Sequence, residues 1–136
     1  DLTKGLYEAY ERKADAVILC DSHGNLTEGP GYNIFIIQKN SLFTPIEGVL
    51  EGITRKTVLE IASRLKLNIK VQKIHKTILK EADEIFLTST AGGIIPATSL
   101  DGIPVKLNEP GKITKEINDI YWDSHYSGPL IEQVAY

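Results

Sequence analysis

Apolar positions along the chain recur with two different periods, and the switches between them lay out an α/β protein. Leu2, Leu6, Ala9 and Tyr10 return at helical spacing, so residues 2–13 are expected to form an amphipathic helix. It leads into AVILC at 16–20, which reads as a strand. DSHGN at 21–25 is turn chemistry, and YNIFIIQ at 32–38 reads as a second strand, antiparallel to the first if that turn closes a hairpin. A turn at Lys39 and Asn40 leads through LFTP to a helix from about Thr54 to Lys66, whose buried face is marked by Val58, Ile61, Ala62 and Leu65. Ile69, Val71 and Ile74 then form a strand, TILKEAD at 77–83 a short helix, and EIFLTS at 84–89 a strand of buried type. ATSLDGIPV reads as a small hairpin turning at Asp101 and Gly102. The last helix is expected over 113–126, with Tyr121, Trp122 and Tyr126 either as its packed face or as a dimer contact. No repeat, low-complexity segment or linker interrupts the pattern, so one domain over 1–136 is expected.

Composition narrows the function classes. With 136 residues, 42% hydrophobic, the chain can bury a core, and a net charge of -3 gives no electrostatic reason to expect nucleic acid or an anionic membrane as partner. The longest apolar runs, AVILC and IFII, are far too short to span a bilayer, and no signal peptide is recognisable. Cys20 has no second cysteine to pair with, and its apolar neighbours suggest a buried thiol in a reducing compartment, by default the cytoplasm. His23, His75 and His125 share no metal-ligand spacing, so no metal is expected. Ser22-His23 and Ser124-His125 are sequence neighbours, which seldom form a triad, and no G-x-S-x-G elbow is present. Asp1 opens on a helix already under way, which reads as a fragment or a processed piece.

Three junctions carry candidate chemistry. In GVLEGITRKTVLEIA at 48–62, Arg55 and Lys56 fall in the first turn of a helix, where the backbone dipole is already positive and acidic residues are the usual choice. Either they point into water, or an anion occupies that end, with Gly52 opening a backbone path and Thr54 adding a donor. In LTSTAGGIIP at 87–96, Thr88, Ser89 and Thr90 with two glycines offer neutral donors after a strand. In TEGPGYN at 27–33, Glu28 sits among turn residues.

Taken together and in this order, LTEGPGYNIFII, GVLEGITRKTVLEIA and ADEIFLTSTAGGIIP resemble the signature segments of the class IV, fold-type IV pyridoxal-phosphate aminotransferases. GITRKTV, TSTAGGIIPATSLDGIPV and YWDSHY are most similar to the (R)-selective amine transaminases, with branched-chain and D-amino acid aminotransferases more distant. The resemblance implies the large, C-terminal cofactor-binding domain of that fold, a mixed sheet or pseudo-barrel flanked by helices. It implies pyridoxal 5'-phosphate as cofactor and small-molecule amines and keto acids as substrates; the apolar surface left uncovered without the family's N-terminal domain is expected to recruit a partner, giving a homodimer. By the same resemblance Glu28 contacts the pyridine nitrogen, Leu50 packs on the ring, Ile53, Thr54 and Thr90 hold the phosphate, and Ala91 and Gly92 lie beside the substrate. The family's Schiff-base lysine lies roughly thirty residues before that glutamate, ahead of Asp1, so no catalytic residue is assigned here; Lys4 and Lys13 read as solvated helix lysines. The chain alone is therefore expected to be inactive. A non-catalytic module of the same fold, or a lyase such as aminodeoxychorismate lyase, are the alternatives.

Overall fold

The computed structural model describes residues 2–106 and 108–127. Helix α1 (Leu2–Glu11) and an irregular stretch precede β1 (Asn33–Gln38) and β2 (Ser41–Pro45). Helix α2 (Ile53–Arg64) then leads to β3 (Asn68–Gln72), a 3-10 helix (Lys76–Glu81), β4 (Glu84–Ser89) and β5 (Gly93–Ala97). The two-residue strands β6 (Ser99–Leu100) and β7 (Ile103–Pro104) and helix α3 (Lys112–Asp123) complete the order. One mixed sheet runs β3-β2-β1-β4-β5. Its neighbours are antiparallel except β2 and β3, which run parallel because α2 crosses between them.

Strand β1 is apolar at successive positions because both faces of the sheet are covered. Phe35 and Ile37 point to one face and join Leu42, Phe86, Ile94 and the buried stripes of α2 (Val58, Ile61, Ala62) and α3 (Ile117, Tyr121). Ile34 and Ile36 point to the other, where they meet Phe43, Ile85, Leu87, Leu26, Ile74 and Val105. On the helix side Phe35 and Phe86 stack with ring centroids 5.1 Å apart. Truncating either ring to alanine would cost about 3–5 kcal/mol, since no neighbour is free to fill the space.

Several elements differ from the sequence expectation. AVILC forms no strand: 17–20 lies along 26–28, with Leu19 N–H donating to the Glu28 carbonyl at 3.2 Å and a single bridge from Cys20 to Leu26. The turn between them is as expected, held by Asp21 Oδ1, which accepts from His23 N–H at 2.8 Å and Asn25 N–H at 2.9 Å. YNIFIIQ instead pairs with β2 and β4. Tyr32 explains why 16–20 stays apart from the sheet. Its hydroxyl accepts from Val17 N–H and donates to the Val17 carbonyl, both at 2.7 Å, using up that residue's ladder groups; burial pushes this phenol's pKa up. Cys20 is exposed, not buried, though desolvation of its surroundings still raises the thiol's pKa and leaves it a weak nucleophile. The short helix expected over 77–83 is a 3-10 helix over Lys76–Glu81. Of the aromatic trio on the last helix only Tyr121 is packed; Trp122 is 40% exposed and Tyr126 85%.

Candidate functional site

Strand register gathers the three junctions at one end of the sheet. Strand β4 runs antiparallel to β1, so its last residues meet the first of β1, with Thr88 opposite Asn33. Strand β2 also runs against β1 and ends at that edge, where Thr44 Oγ1 donates to the Ile34 carbonyl at 2.8 Å. The 46–52 loop then turns back, with Gly48 at φ +67° and its backbone so close to Thr27 that a Cβ would sit 2.7 Å from that side chain. Local sequence shows each junction but not their meeting, because the residues that pair lie tens of positions apart.

Glu28 is half-buried, and only one of its oxygens is in use. Oε2 accepts from the Leu50 N–H at 2.7 Å and from Asn33 Nδ2 at 3.1 Å, while Oε1 has no partner among the described residues. Two donors on one oxygen restrain the carboxylate and leave the other lone pairs free for a ligand donor. Leu50, tied to Glu28 through its backbone, exposes its side chain at 74%.

Helix α2 begins beside this pair. Gly52 is its N-cap with extended backbone, no side chain caps it, and no acidic residue lies in the first turn. A Cβ at Gly52 would fall 2.8 Å from Asn33 Oδ1, so glycine keeps the helix end pressed against the glutamate cluster. Ile53 is 80% exposed and Thr54 is buried. The two cations of this turn part ways. Lys56 points to solvent, whereas Arg55 is 5% exposed, donates through Nη2 to the Pro45 carbonyl at 3.0 Å, and leaves Nε unpaired. Among the described residues no carboxylate pairs with it. A buried guanidinium beside an uncapped helix N-terminus makes the region electropositive.

Thr88 is 1% exposed, shares the helix-covered face with Asn33 and Phe86, and has a hydroxyl without a partner. Buried orphans of this kind are uncommon and call for a ligand or water to satisfy them. Thr90, Ala91 and Gly92 form the exposed β4–β5 turn at the same edge, stiffened by Gly92 N–H donating to Ser89 Oγ at 2.9 Å. Thus the end of the sheet brings together Glu28, Leu50, Ile53, Thr54, Thr90, Ala91 and Gly92. It adds Asn33, which sequence reasoning missed, and Arg55 and Thr88, to which the motifs assigned no task. Asn33 had one local signal, a polar residue opening an otherwise apolar strand.

The arrangement offers an uncapped helix end to an anion and, beside it, a free carboxylate oxygen to an N–H donor. It is an open face; a groove of about 770 Å³ lies at the opposite end by Asp83, Glu84 and Gly111 and shares none of these residues. No group of His, Cys, Asp or Glu able to hold a metal occurs among the described residues.

A family model for amino-transferase class IV matches residues 3–100. The chain is 36% identical over 125 residues to a probable branched-chain-amino-acid aminotransferase of Aquifex aeolicus, covering 90% of this chain and 39% of that protein. It is also 36% identical over 105 residues to a D-alanine aminotransferase of Bacillus licheniformis, covering 76% and 36%. The crystal structure of the T.th. branched-chain amino acid aminotransferase with pyridoxamine 5'-phosphate superposes with a TM-score of 0.84 at 30% identity, over 90% of this chain and 41% of that one. The chain thus spans about two fifths of the length of the relatives it matches.

Proposed function

The chain belongs to the class IV aminotransferase family, and from that premise we propose that it is the cofactor-holding domain of an enzyme that moves an amino group between an amine or amino acid and a keto acid. Bound at the end of the sheet, pyridoxal 5'-phosphate would supply a protonated ring able to take up the electron pair left when a substrate α-carbon loses its proton. The residues of this chain have separate tasks around it. Backbone N–H groups of Ile53 and Thr54 and the Thr54 hydroxyl hold the phosphate at the start of α2, where the dipole and the buried Arg55 favour a dianion. Thr90 donates to the same phosphate from the β4–β5 turn. Glu28 keeps a proton on the ring nitrogen through Oε1. Leu50 covers one face of the ring with apolar surface, and Ala91 and Gly92 border the substrate, the glycine leaving it room. None of these is a base for the α-proton. That task, with the covalent attachment, falls to a lysine placed ahead of Asp1.

The observation that carries this function is the state of Glu28, fixed at one oxygen and open at the other beside an uncapped helix end. Exposed Leu2, Leu6, Tyr7 and Tyr10 on α1 and Trp122 on α3 leave apolar surface to cover, which supports assembly as a homodimer. No helix among the described residues is long and apolar enough to cross a membrane, in keeping with a cytoplasmic enzyme. The test is a polypeptide extended upstream through the expected lysine and loaded with pyridoxal phosphate. Glu28→Gln should depress amine-to-ketone turnover far more than cofactor retention, because the carboxylate acts on the ring's electronics. Equal loss of both, or unaffected turnover, would remove Glu28 from this role.

A further inference from the structure

Asn33 opens β1, yet its side chain serves other segments. It is 5% exposed. Its Nδ2 donates to Glu28 Oε2 at 3.1 Å and to the Leu50 carbonyl at 2.9 Å, while the Leu50 N–H reaches the same Oε2 at 2.7 Å. The other end of the amide, Oδ1, faces Gly52, the N-cap of α2. One buried amide therefore touches each segment to which the proposed function assigns the ring nitrogen, the ring face and the phosphate.

Building on the role proposed above for Glu28, we infer that Asn33 is a positioning residue that locks Glu28 to Leu50 and to the start of α2, so that Oε1 alone is presented to the ligand at a fixed distance from the phosphate site. The reason is geometric. With Asn33 and Leu50 both bonded to Oε2, the carboxylate cannot rotate about its terminal torsion without breaking two charge-assisted hydrogen bonds. Without the amide, the Leu50 N–H alone is an axis about which the carboxylate swings, and the 46–52 loop loses the contact that holds it against β1. An oxygen that swings makes a poorer proton acceptor for a ring nitrogen than one that is pre-set, since orientation is then supplied at the moment of binding.

The experiment compares Asn33→Ala and Glu28→Gln in the full natural polypeptide that contains this chain. Three readings are taken: affinity for pyridoxal phosphate, affinity for inorganic phosphate, and the nitrogen-15 resonance of ring-labelled cofactor, which reports protonation of the ring. Asn33→Ala should weaken pyridoxal phosphate roughly tenfold, the size expected for losing the order imposed by hydrogen bonds to a charged group. Inorganic phosphate, which uses only the helix end and the threonines, should stay within about twofold because the variant deletes none of those donors. The ring resonance should move toward its unprotonated position, as in Glu28→Gln. A shift in Glu28→Gln with none in Asn33→Ala overturns the role of Asn33 alone. No shift in Glu28→Gln overturns the role of Glu28 and that of Asn33 with it. If Asn33→Ala does not fold, Gly52→Ala takes its place: the added Cβ presses on Oδ1 without deleting the amide, a smaller shift of the same sign is expected, and an unmoved resonance overturns the inference.

Discussion

The two long helices that cover the sheet start in nearly the same way and end up with opposite needs. Each has 12 residues, a glycine N-cap in extended conformation and no acidic residue in its first turn. Each glycine makes room for the first residue of a central strand: Asn33 of β1 at Gly52 and Glu84 of β4 at Gly111, where a Cβ would overlap the Glu84 carboxylate. Because β1 and β4 are antiparallel, these meetings fall at opposite ends of the sheet. At α3 the protein supplies its own anion. Glu84 accepts from Ile113 N–H at 3.1 Å, Thr114 N–H at 2.7 Å and Thr114 Oγ1 at 2.6 Å. At α2 the equivalent partner is a neutral amide whose Nδ2 is turned toward Glu28, and the first turn carries Thr54 and the buried Arg55. A helix end closed by a carboxylate is structural; one left positive and uncapped is available to an external anion.

The largest test of this contrast removes the internal anion. Glu84→Ala should destabilise the protein by about 2–3 kcal/mol, because a charged acceptor and the satisfaction of three donors disappear together. Urea unfolding of the variant against the parent measures it, and a change below about 0.5 kcal/mol would mean that solvent caps α3 equally well. The external anion should account for a smaller step. Thr54→Val, which keeps the shape and deletes the hydroxyl, should weaken inorganic phosphate by roughly tenfold, or about 1.4 kcal/mol, while leaving α3 and the unliganded stability nearly unchanged. Tighter phosphate binding on Glu84→Gln, with no loss on Thr54→Val, would reverse the assignment of the two ends.

Making α2 resemble α3 should have a weaker effect with a characteristic pair of signs. Ile53→Glu places a carboxylate at an exposed first-turn position, so the ligand-free protein should gain about 0.3–1 kcal/mol from the helix dipole. Phosphate should bind less tightly in the same variant, since the new charge competes for the same potential. A gain in stability without a loss of phosphate affinity would show that the anion sits elsewhere.

The smallest effect concerns pH at the α3 end. Asp83 has its pKa lowered, chiefly by its bond to Lys106 and then by the Lys39 N–H at 2.6 Å, with burial opposing. A carboxyl whose folded pKa lies below its unfolded one contributes stability that is complete above the unfolded value of about 3.9 and is lost as pH falls from there through the folded value. Since the pair is at the surface, Asp83→Asn should cost less than about 1 kcal/mol at neutral pH, and the difference from the parent should vanish in acid. A difference that grew on acidification would have the wrong sign for this origin.

How far the fold could be read from sequence follows the strength of the local pattern. Strand β4 has the bounds expected from EIFLTS, β1 begins one residue after YNIFIIQ does, and α2 and α3 fall within about two or three residues of their periodic faces. Strands β2 and β5 were not recognised because SLFTP and GIIPA contain proline and β5 opens on glycine, features that argue against strands in general. They are tolerated because Pro45 closes β2 and Pro96 lies on β5, the sheet's edge strand, where a missing N–H is harmless. AVILC has strand composition but no free strand partner, since Tyr32 takes up the backbone of Val17.

The sequence alone determined that the chain folds as an α/β domain, that each junction has donors or a carboxylate in loop chemistry, and which family its motifs resemble. These are local properties, set by periodicity and residue type within a dozen positions. Only the tertiary structure decided that Arg55 is buried while Lys56 is not, that Thr88 is an orphan, and that Asn33 links Glu28 to Leu50. Those facts depend on which strand lies beside which and in what register, and a single residue's slip along β1 would turn Asn33 to the other face and away from Thr88.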